Sequence, residues 1–108
     1  MKINIKPLSI NKCFQGRRFK TQEYKDYEQE VYYMLKPMKI SKKKKLSLRI
    51  IVGFKSTLAD IDNIAKPFID ILQKKYGFND NQIYELLLFK EIVPKKEEQF
   101  ISFEISEY

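Results

Sequence analysis

The alternation of large aliphatic side chains between positions 46 and 54 constrains the fold more than any other feature of the sequence. Every second residue is large and apolar: Leu46, Leu48, Ile50, Val52 and Phe54. Because successive side chains of a strand point to opposite faces of a sheet, this pattern predicts a strand with one apolar face. That face needs a covering layer, and the rest of the chain has to supply it.

A helical pattern follows the strand, from about residue 62 to residue 75. Its apolar positions fill one face at about 100° per residue: Ile61, Ile64, Ala65, Phe68, Ile71 and Leu72. Asp62 or Asn63 is expected as the N-cap, because a short polar oxygen can accept the free amide hydrogens of the first turn. Pro67 has no amide hydrogen, so the helix start should lie close to it. Gly77 is expected to end the helix as a left-handed cap.

A second helix is predicted nearer the start of the chain. Thr21 can cap it, and apolar residues then follow helical spacing to about Lys36, before Pro37 ends it. The aromatic Phe14, in the loop before this helix, is expected to tuck into the core.

Three further segments are predicted to be strands: residues 1–5, residues 82–93 and residues 100–106. The turn at residues 94–98 suggests that the last two strands form a hairpin. We therefore expect one domain over residues 1–108 with an α+β fold, in which a small mixed β-sheet of about four strands packs against two helices.

Charge and composition point to an anionic partner. The net charge is +7 and the pI is about 9.4. No apolar run could span a bilayer, so we expect nucleic acid and no membrane. Two basic segments are candidates for DNA contact, since cationic side chains bind phosphate: Lys12, Arg17, Arg18 and Lys20, then Lys42, Lys43, Lys44 and Lys45. The lysine run is equally typical of a solvated turn.

The single cysteine, Cys13, excludes an internal disulfide and fits a reducing cytoplasm.

Four chemically useful side chains fall within eleven positions: Asp60, Asp62, Lys66 and Asp70. Asp80 follows a short loop and comes at the start of the next predicted strand. The edge of the sheet could place it there beside the start of the helix. Carboxylate oxygens bind hard divalent cations, and a bound cation polarises a phosphoryl oxygen. A nearby ammonium can stabilise the developing charge. The chain has no histidine, so any metal site should be all-oxygen, which favours Mg²⁺ or Mn²⁺ over Zn²⁺.

The same residues have a simpler interpretation. The spacing of Asp62, Lys66 and Asp70 is typical of two ion pairs on a solvated helix face, and taken alone it favours that reading. Asp60 and Asp80 could then be turn residues.

The order and spacing of these residues resemble the RusA family of Holliday junction resolvases, small phage and prophage endodeoxyribonucleases. The motif reads Asp60-x-Asp62-Asn63-x-x-Lys66-x-x-x-Asp70-x-Leu72, then Gly77 and Asp80-x-x-Ile83. Earlier residues also resemble the family: Ser9-x-Asn11, Arg17-Arg18 and Thr21-x-x-Tyr24.

The resemblance implies roles for the matching residues. Asp60, Asp62 and Asp80 would bind the metal, and Lys66 would be catalytic. From its place one helical turn from Lys66, we expect Asp70 to orient that lysine instead of binding metal. The family often carries paired acids in the last loop, whereas this chain has Asn79 before Asp80.

The resemblance implies a Mg²⁺-dependent endodeoxyribonuclease, with Mn²⁺ able to substitute, that resolves four-way DNA junctions by paired symmetric nicks. One candidate site per chain and two nicks per junction favour a homodimer. The expected location is the cytoplasm of a bacterial host. Two alternatives remain open: a metal-dependent nuclease acting on flaps or forks, and a DNA-binding accessory protein whose acids are structural.

Overall fold

The computed structural model describes residues 1–16 and 18–108. The described residues form strands β1 (Lys2–Ile3), β2 (Phe14–Gln15) and β3 (Phe19–Lys20), helix α1 (Gln22–Met34), strand β4 (Leu46–Phe54), helix α2 (Ile61–Tyr76), and strands β5 (Ile83–Ile92) and β6 (Phe100–Glu107). The predicted α+β class is confirmed, with a mixed four-stranded sheet, two helices and a small β2–β3 sheet.

The main sheet has the strand order β1-β6-β4-β5. Strand β4 pairs in parallel with β5 and antiparallel with β6. The expected hairpin of the last two strands is therefore wrong, because both strands pair with β4 and not with each other. The reason is that α2 crosses over between β4 and β5, which makes that pair parallel. The backbone hydrogen-bonding groups on the other edge of the buried β4 are then paired by β6.

Both helices contribute to one core on the apolar face of the sheet. Ile50 of β4 and Phe68 of α2 are fully buried, and the Phe68 ring meets Phe103 of β6 edge to face with centroids 5.5 Å apart. Each large side chain buried in this way contributes about 1.5–3 kcal/mol. The apolar stripe predicted for α2 is thus the surface that fixes the helix on the sheet.

The ends of α2 determine where its charged residues lie. The N-cap is Asp60, not Asp62 or Asn63, and its carboxylate makes no capping hydrogen bond to the backbone. Gly77 has a φ of 72°, which confirms the left-handed cap. Pro67 lies inside the helix and is buried. Asp60 is therefore held at the helix entrance with neither carboxylate oxygen bonded to the helix backbone.

Helix α1 begins as predicted and is anchored to its surroundings by one acid. The Thr21 hydroxyl oxygen accepts the Tyr24 amide at 3.1 Å, and the helix ends at Met34, slightly before the expected Lys36. Glu28 accepts hydrogen bonds from Lys20 at 2.9 Å and from Lys74 of α2 at 2.8 Å. Burial alone would raise the pKa of Glu28, but the hydrogen bonds and charges of the two lysines hold it below its ordinary value.

Phe14 departs from the expectation that it joins the core. Its side chain is 39% exposed and packs edge to face on Tyr24, with ring centroids 5.6 Å apart. The short β2–β3 hairpin holds it at the surface, beside the second half of α2. In the described part of the chain, no helix is both long and apolar enough to cross a membrane.

Candidate active site

The outer face of α2 carries the predicted chemical residues. Asp60, Asp62, Lys66 and Asp70 are all exposed, opposite the buried stripe that packs on the sheet. The helical repeat places Lys66 one turn from Asp62 and one turn from Asp70. Asn63 also donates a long hydrogen bond from Nδ2 to Asp60 Oδ2, at 3.4 Å. The sequence pattern therefore located this row of side chains correctly.

Asp80 lies at the other end of α2, in a short helical turn over Asp80–Gln82. The Asp80 amide donates to Gln73 Oε1 at 2.8 Å, which holds the turn against the last part of the helix. Asn79 and Gln82 form a capping box around the turn. Gln82 also donates from Nε2 to the carbonyls of Ser41 and Lys44, at 2.8 and 3.0 Å.

Three of the predicted residues meet in a cavity of about 330 Å³ between α2 and β5. The cavity is lined by Lys66, Ile69, Asp70, Asp80, Ile83 and Leu86. Partial burial raises the pKa of Asp70, and the negative charges of Asp80 and Glu28 add to the rise while Lys74 opposes it. Lys66 thus shares its surroundings with two carboxylates, one from its own helix and one from the following turn.

The three acids expected to bind a metal are not assembled within one chain. Asp60 precedes the first turn of a 16-residue helix that is about 24 Å long, whereas Asp80 is bonded to Gln73 in the second half of that helix. Residues 1–16 and 18–108 contain no group of three or more His, Cys, Asp or Glu side chains that could hold a metal ion. The expectation that Asp80 lies beside the helix start is wrong for a single chain, and the assignment of the metal ligands stays a prediction.

A lysine that the sequence did not single out holds the loop before Asp60. Lys90 of β5 donates from Nζ to the carbonyls of Thr57 and Ala59, at 3.0 and 2.9 Å. These two carbonyls flank Leu58 immediately before the N-cap of α2. The only sequence signal is a lysine inside an apolar strand, which does not indicate a partner.

The predicted DNA-binding residues fall into different environments. Lys20 forms a salt bridge with Glu28, and its ammonium lies 5.2 Å from the Tyr24 ring centroid. Lys12 and Arg18 are exposed. Arg17 lies outside the described residues.

The run Lys42, Lys43, Lys44 and Lys45 is fully on the surface. Because Gln82 bonds to the Lys44 carbonyl, this run lies beside the Asp80 turn. Lys45 also places its ammonium 4.9 Å from the Tyr84 ring centroid.

A second and larger cavity, of about 530 Å³, is lined in part by Lys55 and Ser56, the first residues of the loop that leads to Asp60. Four lysines line it, with no acidic residue among its neighbours: Lys6, Lys12, Lys55 and Lys96. Phe54 and Pro7 are among its apolar neighbours, and the buried Gln99 side chain accepts the Lys55 amide at 3.2 Å. This cavity therefore adds a second group of positive charges to the lysine run beside the Asp80 turn.

A comparison with protein families finds a match over most of the chain. The family model described as Endodeoxyribonuclease RusA matches residues 9–100, a span that includes every acidic residue of the motif and Lys66. A comparison with curated proteins finds no match.

Proposed function

The chain belongs to the RusA endodeoxyribonuclease family, and we propose that it cleaves four-way DNA junctions by paired symmetric nicks in a Mg²⁺-dependent reaction. The observation that carries the proposal is the cavity in which Lys66, Asp70 and Asp80 meet, because these residues lie within the matched span and beside a basic loop. Mn²⁺, whose ligand preferences are similar, should substitute.

The acids and the lysine divide the chemistry between them. Asp60, Asp62 and Asp80 would supply the oxygen ligands that Mg²⁺ prefers, and the bound ion would polarise the scissile phosphate. Lys66 stabilises the charge that develops on the phosphate oxygens, because its ammonium is kept near the acids by its place on the helix. Asp70, one turn along, orients that ammonium.

The basic surface binds the DNA backbone. The chain carries 21 Lys and Arg against 14 Asp and Glu, and the exposed lysine loop at residues 42–45 lies next to the Asp80 turn. Each phosphate that a cationic side chain contacts releases counterions, so this surface supplies affinity without sequence preference. Selection of a branched substrate then depends on which DNA shapes can contact two such surfaces at the same time.

The proposal is tested by cleavage of a four-way junction, a fork and a linear duplex of the same sequences, with Mg²⁺, with Mn²⁺ and with EDTA. We expect metal-dependent nicks at symmetric positions in the junction and little cleavage of the duplex. Preferential cleavage of the fork would replace the junction substrate with a flap or fork substrate. Tight junction binding without cleavage in either metal would indicate the non-catalytic alternative.

A further inference from the structure

The lysine cavity, the space of about 530 Å³ lined by Lys6, Lys12, Lys55 and Lys96, is built from segments that are far apart in sequence. Its lining residues come from the chain before β2, from the end of β4 with the loop after it, and from the turn before β6. The Gln99 side chain joins the last two segments, because its Oε1 accepts the Lys55 amide at 3.2 Å. The volume lies in the range of about 300–1,000 Å³ that is usual for sites of small organic ligands.

The positive charge of the lysine cavity is not balanced. All four of its lysines are exposed, and none of the described residues that line it is acidic. Within residues 1–16 and 18–108, the ion pairs are those of Lys20 and Lys74 with Glu28, so the four cavity lysines have no acidic partner. Like charges around one space repel one another, and an anion that enters the space lowers this repulsion. The cavity therefore favours an anionic ligand.

The lysine cavity also has apolar surface and a buried hydrogen-bond donor, which a bare anion would not use. Pro7, Leu8 and the half-buried Phe54 line it together with the lysines. Gln99 is only 6% exposed, and its oxygen is bonded to the Lys55 amide. Its Nε2 has no acceptor among the described residues and is not fully enclosed. A ligand that matches these features has an anionic group, an apolar face and a hydrogen-bond acceptor.

A nucleotide combines these three properties. Its phosphate is anionic, its base has a π-face that stacks on aromatic rings, and the edge of the base carries hydrogen-bond acceptors. Stacking of this kind is available to every base, so it carries little sequence preference. A base inside a regular duplex cannot enter a cavity, because enzymes reach such a base only after it has left the stack.

The lysine cavity is close along the chain to the predicted metal ligands. Ser56 lines the cavity and precedes Asp60 by four residues, which is at most about 14 Å of extended chain. At about 3.4 Å per nucleotide along one strand, this distance corresponds to about four nucleotides. A nucleotide in the cavity and a phosphate at Asp60 can therefore belong to the same short stretch of DNA.

We infer that the lysine cavity binds one unpaired nucleotide of a DNA strand, with the base against Phe54 and Gln99 and the flanking phosphates on the lysines. The inference rests on the proposed function in taking DNA as the partner. The free energy needed to extrude a base is smallest where its pairing is already broken, as at a branch point or a bulge. The cavity thus gives the protein a way to distinguish a distorted helix from a regular one.

The test uses linear duplexes of one sequence that differ at a single position. One carries a bulged thymidine, a second carries an abasic residue in the bulge, and a third is fully paired. The affinity of the protein for each is measured by fluorescence anisotropy in Ca²⁺. We expect the thymidine bulge to bind between about fivefold and about a hundredfold more tightly than the abasic bulge, which is the range for one stacked base. Equal affinity for the two bulges would overturn the inference.

Two variants assign the contact to this cavity. Gln99→Glu keeps an oxygen for the Lys55 amide but removes the free donor, so it should abolish the preference for the thymidine bulge. Lys96→Met should lower the ratio of bulge affinity to paired-duplex affinity severalfold. Lys95→Met removes the same charge from a neighbouring exposed lysine outside the cavity and should leave that ratio unchanged. Because Lys96 is exposed, its variant tests the inference even where Gln99→Glu does not fold. Equal ratios in the Lys95 and Lys96 variants would overturn it.

A free nucleotide distinguishes a site for a DNA strand from a site for a mononucleotide. Thymidine 5′-monophosphate lacks a second flanking phosphate, so it should compete only weakly with the bulged duplex. Competition at the same concentration as the duplex would overturn the assignment to a strand. Selective binding of the thymidine bulge by a protein that cleaves no junction would remove the proposed function alone. Metal-dependent junction cleavage by a protein that does not distinguish the two bulges would remove this inference alone.

Discussion

Replacing Lys90 with methionine should loosen the loop that carries Asp60 and raise the Mg²⁺ concentration needed for cleavage. The Lys90 ammonium bonds two carbonyls of that loop, those of Thr57 and Ala59. Methionine keeps most of the length and the apolar stem of the side chain but donates no hydrogen bond. The change therefore removes two contacts while leaving the strand itself intact.

The magnitude follows from the type and exposure of these hydrogen bonds. A shielded bond from a charged donor contributes about 1.5–3 kcal/mol, but Lys90 is exposed, and the pair is then worth about 1 kcal/mol. One kcal/mol changes an equilibrium roughly fivefold. If the open loop cannot present Asp60, the apparent metal affinity should fall by about this factor. The rate at saturating Mg²⁺ should recover.

The assay is single-turnover junction cleavage across a Mg²⁺ titration. Lys90→Arg should restore the half-saturating concentration, because a guanidinium can donate to both carbonyls. Lys95→Met, at an exposed lysine just beyond β5, is the matched control and should match wild type. A purely structural role would lower the melting temperature and the amount of active protein without moving the metal midpoint. An unchanged midpoint in Lys90→Met, or an arginine variant as impaired as the methionine variant, would refute the positioning role.

Four further outcomes are expected. Cleavage should be abolished by Asp60→Asn, Asp62→Asn or Asp80→Asn. Junction binding in EDTA should stay intact or tighten, since less negative charge then faces the phosphate. Near-normal cleavage by all three variants would remove the metal-ligand assignment. Lys66→Met should lower the saturated single-turnover rate on the order of a hundredfold with unchanged junction affinity in Ca²⁺, and the reverse pattern would place Lys66 in the basic patch. Junction affinity should fall steeply with salt, with a slope of about −5 in log K against log salt for about six phosphate contacts, whereas a flat dependence would contradict backbone binding. Glu28→Gln should cost about 1 kcal/mol, or roughly 4–8 °C in melting temperature. Because the folded pKa of Glu28 is lowered, its contribution is present at neutral pH and is lost as the pH falls below its ordinary value of 4.5, so the variant should match wild type in acid by thermal melts.

Periodicity was sufficient to predict the elements that carry the site. The apolar stripe from Ile61 to Leu72 has to face the sheet, so Asp62, Lys66 and Asp70 had to lie on the outer face of α2. Gly77 was recognisable as the left-handed cap because a helix that stops at a glycine commonly ends this way. Local rules were enough wherever one element fixed its own orientation.

Pairing between distant elements could not be read in the same way. A run rich in Ile, Leu, Tyr and Phe identifies β5 as a strand but does not say whether its neighbour is β4 or β6. Which residues of β5 line the cavity with Lys66 depends on that choice. The Lys90 contact depends on it too, since only a strand beside β4 can reach the Thr57 carbonyl.

The parallel pairing of β4 with β5 also sets an order of events for folding. Leu48 and Leu86 are partners across that pair although α2 and both of its loops separate them in sequence. The entropy of closing so long a connection is lost before the pairing contacts form, which slows folding. Helix α2 shortens the connection when it condenses on β4, so we expect β5 to dock after it. A late-docking apolar strand makes partly folded chains prone to self-association, and the refolding yield should therefore fall as the protein concentration rises.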